Sequence, residues 1–139
     1  MRTNKGRVIT AALAIAMAIV APSAFAQSQN LRATIPFDFY VADQLLPAGT
    51  YMIARQGHSD AIRIYNNAGK SAFVMSNALS KNRAPDFSRL VFHRYGSTSF
   101  LTGIYWEGSA AGRALAPTKT ERRLAQNAVP PTPVAILLK

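Results

Sequence analysis

Any chemistry in this chain must be done with two histidines, six carboxylates and no cysteine. A zinc site takes three or four His, Cys or acidic ligands, so both His58 and His93 would need carboxylate help, and no metal site is expected. His58-Ser59-Asp60 carries the three side-chain types of a nucleophilic triad. Adjacent residues cannot line up as nucleophile, base and orienter, because working triads converge from separate segments. Ser59 and Asp60 read instead as turn residues. Among Asp38, Asp43, Asp60, Asp86, Glu107 and Glu121, a general acid would need burial or a like charge to raise its pKa. Asp43, Asp60 and Asp86 lie among turn formers and read as solvated, whereas Asp38 and Glu107 lie on strands and read as cross-strand ion-pair partners. Gly96, Gly103, Gly108 and Gly112 scatter over hairpin positions and build no phosphate-cradling loop. No catalytic residue and no cofactor is expected.

The charge balance has a more direct reading. Sixteen Lys and Arg residues against six Asp and Glu give a net charge of +10. Lys81, Arg83, Arg89 and Arg94 are close in sequence, and Arg113, Lys119, Arg122 and Arg123 follow. Such a surplus favours anionic partners. The expected partners are anionic envelope components or another exported protein, acting on a non-enzymatic binding module. The alternative is a small-ligand carrier or enzyme with a site in the mouth of a barrel. The candidate binding residues are His93, Arg94, Tyr95, Tyr105 and Trp106, which put a histidine, a cation and three aromatic side chains on neighbouring strands. Aromatic residues on a basic β-face would also suit single-stranded nucleic acid, but export argues against it.

Export is written at the N-terminus. Arg2, Lys5 and Arg7 precede a thirteen-residue apolar run, Val8 to Val20, whose only polar member is Thr10. Pro22 then breaks the helix, and Ala24 and Ala26 supply the small residues that signal peptidase accommodates. A membrane-spanning helix needs roughly 20 apolar residues, so residues 1–26 read as a cleaved secretory signal rather than an anchor. No cysteine is present for lipid attachment. The expected product, Gln27 to Lys139, is periplasmic or extracellular. It carries three fewer cations than the whole chain, has no transmembrane segment, and has no disulfide to staple it. Its stability must come from an apolar core, which a chain of this length can build.

The elements that position the candidate residues follow from period-two alternation. Ile35, Phe37, Phe39 and Val41 share one side of a strand over Thr34–Val41, with Pro36 suiting a sheet edge. Leu46-Pro47-Ala48-Gly49 is a turn, and Thr50–Arg55, Ala61–Tyr65 and Ser71–Leu79 read as strands. Asn66 to Lys70 forms a hairpin connection, and Ser80–Ser88 is a loop. Arg89–Tyr95 and Phe100–Glu107 make a further hairpin across Gly96 to Ser99. Thr118 and Glu121 match a capping box ahead of a short helix, and Val134–Leu138 is either a last strand or a tail. Residues 27–128 thus form one all-β domain, a small antiparallel sandwich or barrel of six to eight strands with a short C-terminal helix. Residues 129–139 form a proline-rich tail or final strand.

Three motifs, Ile35-Pro36-Phe37-Asp38-Phe39-Tyr40-Val41, Leu46-Pro47-Ala48-Gly49-Thr50-Tyr51 and Leu90-Val91-Phe92-His93-Arg94-Tyr95-Gly96, precede a strand bearing Trp106. In these the chain resembles a group of short exported β-proteins abundant in Acidobacteria. The likeness runs from about Ile35 to Ala125. It implies export and a β-fold, and it carries no catalytic residue across.

Overall fold

A computed structural model describes residues 30–57, 59–127 and 130–138. The expected signal sequence and His58 lie outside the described residues. Among the described residues, ten strands and one helix follow in order: β1 (Leu31–Ile35), β2 (Phe39–Val41), β3 (Gln44–Leu46), β4 (Gly49–Arg55), β5 (Ala61–Tyr65), β6 (Ser71–Ser80), β7 (Arg89–Tyr95), β8 (Thr98–Tyr105), β9 (Ala111–Leu115), α1 (Lys119–Asn127) and β10 (Thr132–Leu137). The all-β class with a short C-terminal helix is as expected. The strand number exceeds the expected six to eight, for three local reasons.

The alternating stretch over Thr34–Val41 is two strands. Pro36 has no N–H to continue the ladder, so β1 ends at Ile35 opposite Gly49 of β4, and the chain re-enters as β2 beside β3 and β8. Asp38 fills the break: its Oδ1 accepts the Ala48 amide at 2.8 Å, which fixes the Leu46–Gly49 turn. It is a turn anchor, where a cross-strand ion pair was expected. Two short strands, β3 and β9, carry too few alternating residues to be seen as strands in isolation. The proline-rich end closes as β10, antiparallel to β7, with Pro133 opposite His93. Proline is accommodated there because β10 pairs with β7 alone and is an edge strand.

Strand β6 joins two halves of the sheet. Its residues 71–75 pair with β5, and residues 76–80 pair with β9. One half is β1-β4-β5-β6, and the other is β6-β9-β8 with β7 and β10 on one side and β2-β3 on the other. All strand pairs are antiparallel except β2 with β8, which meet in parallel at Tyr40 and Phe100. The sheet does not close, so there is no barrel mouth.

The two halves share one core. Ile35, Tyr51, Ile53, Ile62 and Ile64 from the first meet Phe39, Leu90, Phe92, Leu101 and Ile104 from the second. Its aromatic centre is built edge to face, as ring quadrupoles favour. Phe92 meets Phe37 at 5.1 Å and Phe39 at 5.6 Å, and Phe39 meets Tyr51 at 5.3 Å. Burying a side chain of this size contributes about 1.5–3 kcal/mol. Among the described residues, no helix is long and apolar enough to cross a membrane.

Candidate binding site

Strand alternation decides which candidate residues can meet. On β7, Leu90 and Phe92 point into the core, so His93 and Tyr95 must face the opposite side. A bulge sharpens this arrangement. The β7–β8 register shifts between Val91 and Phe92, leaving Thr102 as the extra residue on β8. The Thr102 hydroxyl donates to the Val91 carbonyl at 3.1 Å, which satisfies a group that the bulge takes off the ladder.

Helix α1 lies over this outer face. Its start is set by Thr118, whose Oγ1 accepts the Glu121 amide at 3.1 Å and whose carbonyl accepts the Arg122 amide at 2.9 Å. The threonine half of the expected capping box therefore forms. The Glu121 side chain turns to the sheet, and Oε1 lies 3.4 Å from both His93 Nδ1 and Tyr95 Oη. Tyr95 donates a long hydrogen bond to it. The carboxylate is buried, with its side chain 6% exposed, while His93 is 39% exposed.

Between α1 and the β7–β8 hairpin is a cavity of about 480 Å³. Val91, Leu115, Ala125 and Pro131 give it apolar walls, and His93, Tyr95 and Glu121 converge at one side. Arg122 stands at its lining, with Nε and Nη2 donating to the Pro117 carbonyl at 3.3 and 3.2 Å. Burial pushes the Tyr95 phenol pKa above its ordinary value, and the Glu121 charge and hydrogen bond push it the same way. The phenol therefore keeps its proton for Glu121 through neutral pH.

Tyr105 closes the far wall. Its ring lies against β8 and β9 so closely that a Cβ on Gly112 would be 2.6 Å from Tyr105 Cδ1, and one on Gly103 would be 3.1 Å from Cε2. Glycine stands at both positions because the ring occupies the side-chain space. Lys81 Nζ and the Arg89 guanidinium stack on the same ring, at 4.5 and 5.0 Å from its centroid. Such contacts hold cations beside an aromatic face.

The structure thus brings together His93, Tyr95 and Tyr105, and it sends Arg94 and Trp106 elsewhere. Arg94 alternates to the other face, where its guanidinium sits 4.6 Å over Phe37 and its Nε donates to Ser99 Oγ at 3.2 Å. Trp106 is a core residue, with Arg55 5.9 Å from its ring centroid. Glu121 is the residue the sequence reading did not place at a site. The signal was its spacing: Glu121, Leu124 and Ala125 lie at i, i+3 and i+4 and share a helix face, so the inward face of α1 extends back to the carboxylate. Asp60 is exposed, in keeping with the solvated reading, and also pairs with Arg113 of β9 at 2.6 Å. Ser59 is a turn residue as expected, its hydroxyl donating to the Gln56 carbonyl at 2.6 Å. Among the described residues, no three His, Asp or Glu side chains come together. Compared with protein-family models, curated proteins and solved structures, the chain matches none.

Proposed function

We propose that the protein is an exported, non-enzymatic binding module that takes a small amphiphilic molecule between α1 and the β7–β8 hairpin. One observation carries this reading. Glu121 is a buried carboxylate whose Oε1 has, among the described residues, His93 Nδ1 and Tyr95 Oη beside it, each 3.4 Å away. Charge-assisted hydrogen bonds run at about 2.5–2.9 Å, and an ionised carboxylate can accept about four of them. Glu121 therefore has acceptor capacity left over, next to a cavity of the size that ligand sites have. The apolar walls suit a hydrocarbon or ring body, and the carboxylate suits a donor head, a protonated amine above all. Binding is favoured over catalysis because the Thr102 and Tyr95 hydroxyls are both committed as donors. The export part of the proposal is supported by the charged, apolar and small-residue order of residues 1–26.

Thermal-shift and calorimetric titration with n-octylamine, n-octanol and octanoate, all below their self-association limits, tests it. The amine should bind tightest and the carboxylate weakest. Glu121→Gln should cost the amine tenfold or more in affinity while barely changing octanol. Equal affinity for amine and carboxylate, or no binding of any of the three, would sink the reading.

A further inference from the structure

We propose that the β6–β7 loop is a preformed docking tip for an anionic lipid surface. This inference concerns a second site and does not depend on what fills the cavity under α1. Residues 81–88 contain Lys81, Arg83 and Phe87. Together with Arg89 and Leu137 they line a recess of about 280 Å³, from which Lys81 and Arg89 reach the Tyr105 ring. Two large apolar side chains stand in solvent there, Phe87 at 58% exposure and Leu137 at 63%. Among the described residues that line the recess, Asp86, at 3.8 Å from Arg83, is the one carboxylate, and the cations outnumber it three to one.

The exposure is built in rather than the result of a loose loop. The Lys81 amide donates to the Ala110 carbonyl at 2.9 Å, and the Gly108 amide donates to the Pro85 carbonyl at 3.1 Å. At the loop's end, the Glu107 amide donates to Ser88 Oγ at 2.9 Å and the Leu138 amide to the Ser88 carbonyl at 2.8 Å. The loop is thus tied to the β8–β9 turn and to the end of β10. Phe87 is held out between two points of attachment. Lys81 and Arg89 are held as well, against the Tyr105 ring.

Charge and apolar exposure together select the occupant. A soluble polyanion would engage the cations and leave Phe87 and Leu137 in water. A bilayer with anionic headgroups offers both phases at once: negative charge at its surface and an acyl boundary a few ångströms below. Each cation near such a surface is worth about fivefold in affinity, and the chain's overall positive charge steers the encounter.

The absence of cysteine makes the test clean, since one introduced thiol takes one label. An environment-sensitive fluorophore is placed at Asn82→Cys in the loop. A control label goes at Asn67→Cys, in the turn at the opposite end of β6, roughly 30 Å away along the strand. The full chain is used throughout, so any contribution of residues 1–29 is common to every variant. Vesicles of phosphatidylcholine, with or without about one third phosphatidylglycerol, are titrated in. The loop label should brighten and shift to the blue with anionic vesicles alone, and the control label should not respond. Lys81→Gln with Arg83→Gln should weaken the response tenfold or more, and so should Phe87→Ser with Leu137→Ser. A solvent-like loop label at saturating anionic vesicles would overturn the proposal. So would an equal response to both vesicle types, or a Phe87→Ser, Leu137→Ser variant that binds as tightly as its parent. Dextran sulfate that reproduces the blue shift would overturn it in favour of a soluble polyanion.

Discussion

Two tyrosines divide the molecule into a region built to hold and a region built to receive. Tyr51 lies in the core, fully buried, and its hydroxyl donates to the Pro47 carbonyl at 2.6 Å. Tyr95 lies on the outer face of the β7–β8 hairpin, and its hydroxyl reaches Glu121 at 3.4 Å beside an open cavity. Burial is the main reason that both phenols have raised pKa values. The difference is in what surrounds them. Each ring meets a phenylalanine edge to face, Tyr51 with Phe39 at 5.3 Å and Tyr95 with Phe100 at 5.9 Å, but the Tyr51 hydroxyl is satisfied by a turn carbonyl four residues back. Around Tyr95, polar groups converge on one carboxylate at distances longer than they prefer, with unfilled space beside them. A packed interior gains nearly all its free energy from burial and complementarity. A region left short of both has free energy still to gain from a ligand.

The largest test of this contrast is truncation. Phe92→Ala should lower unfolding stability in denaturant by about 3–5 kcal/mol, because it leaves a cavity between the Phe37 and Phe39 rings that cannot collapse. Glu121→Gln should shift stability by less than about 1 kcal/mol, since it removes a buried charge and keeps the side-chain shape. If the two variants are equally destabilised, the outer face is part of the structural core and the contrast fails.

A smaller effect separates the hydroxyls. Tyr51→Phe leaves the Pro47 carbonyl without its 2.6 Å donor and should cost about 1–2 kcal/mol. Tyr95→Phe loses only a long bond at the edge of a cavity and should cost less. Thermal unfolding of the two single variants under matched conditions ranks them.

The smallest effect is in alkaline titration. Both phenols are raised on folding from the ordinary tyrosine value of about 10. The folded protein therefore holds these protons to higher pH than the unfolded chain does. Stability should be indifferent to them below about pH 10 and should fall as pH rises from there through the raised values. In Glu121→Gln, Tyr95 loses the charge and carboxylate hydrogen bond that add to burial, so it should ionise earlier than in the parent, while Tyr51 stays where it is. Absorbance at 295 nm, assigned by Tyr→Phe differences, reads this directly. A Tyr51 that moves with Glu121→Gln would show that the two regions are electrically coupled.

Much of the frame was legible in the residues. Ala61–Tyr65 alternates and Arg89–Tyr95 is bounded by a loop and a glycine turn, and the strand limits read for both agree with the structure, while Thr118 announced the helix start. The site was partly legible. His93, Tyr95 and Tyr105 share the cavity, but Arg94 and Trp106, adjacent to them in sequence, point to the core side. Period two ensures that neighbours in a strand face opposite ways, and the bulge at Thr102 changes the register of β8 against β7.

What the sequence determined by itself is the local alphabet: an apolar, alternating, cysteine-free chain that must fold as sheet around one core, with a cationic surplus and a short capped helix. These follow from properties each residue carries wherever it sits. Only the tertiary structure decided that α1 packs over the β7–β8 hairpin and turns Glu121 inward, that β10 returns to β7, and that Phe87 and Leu137 come together beside Lys81, Arg83 and Arg89. Those placements join residues tens of positions apart. They are set by which faces remain to be covered once the core has formed, and no local pattern contains that information.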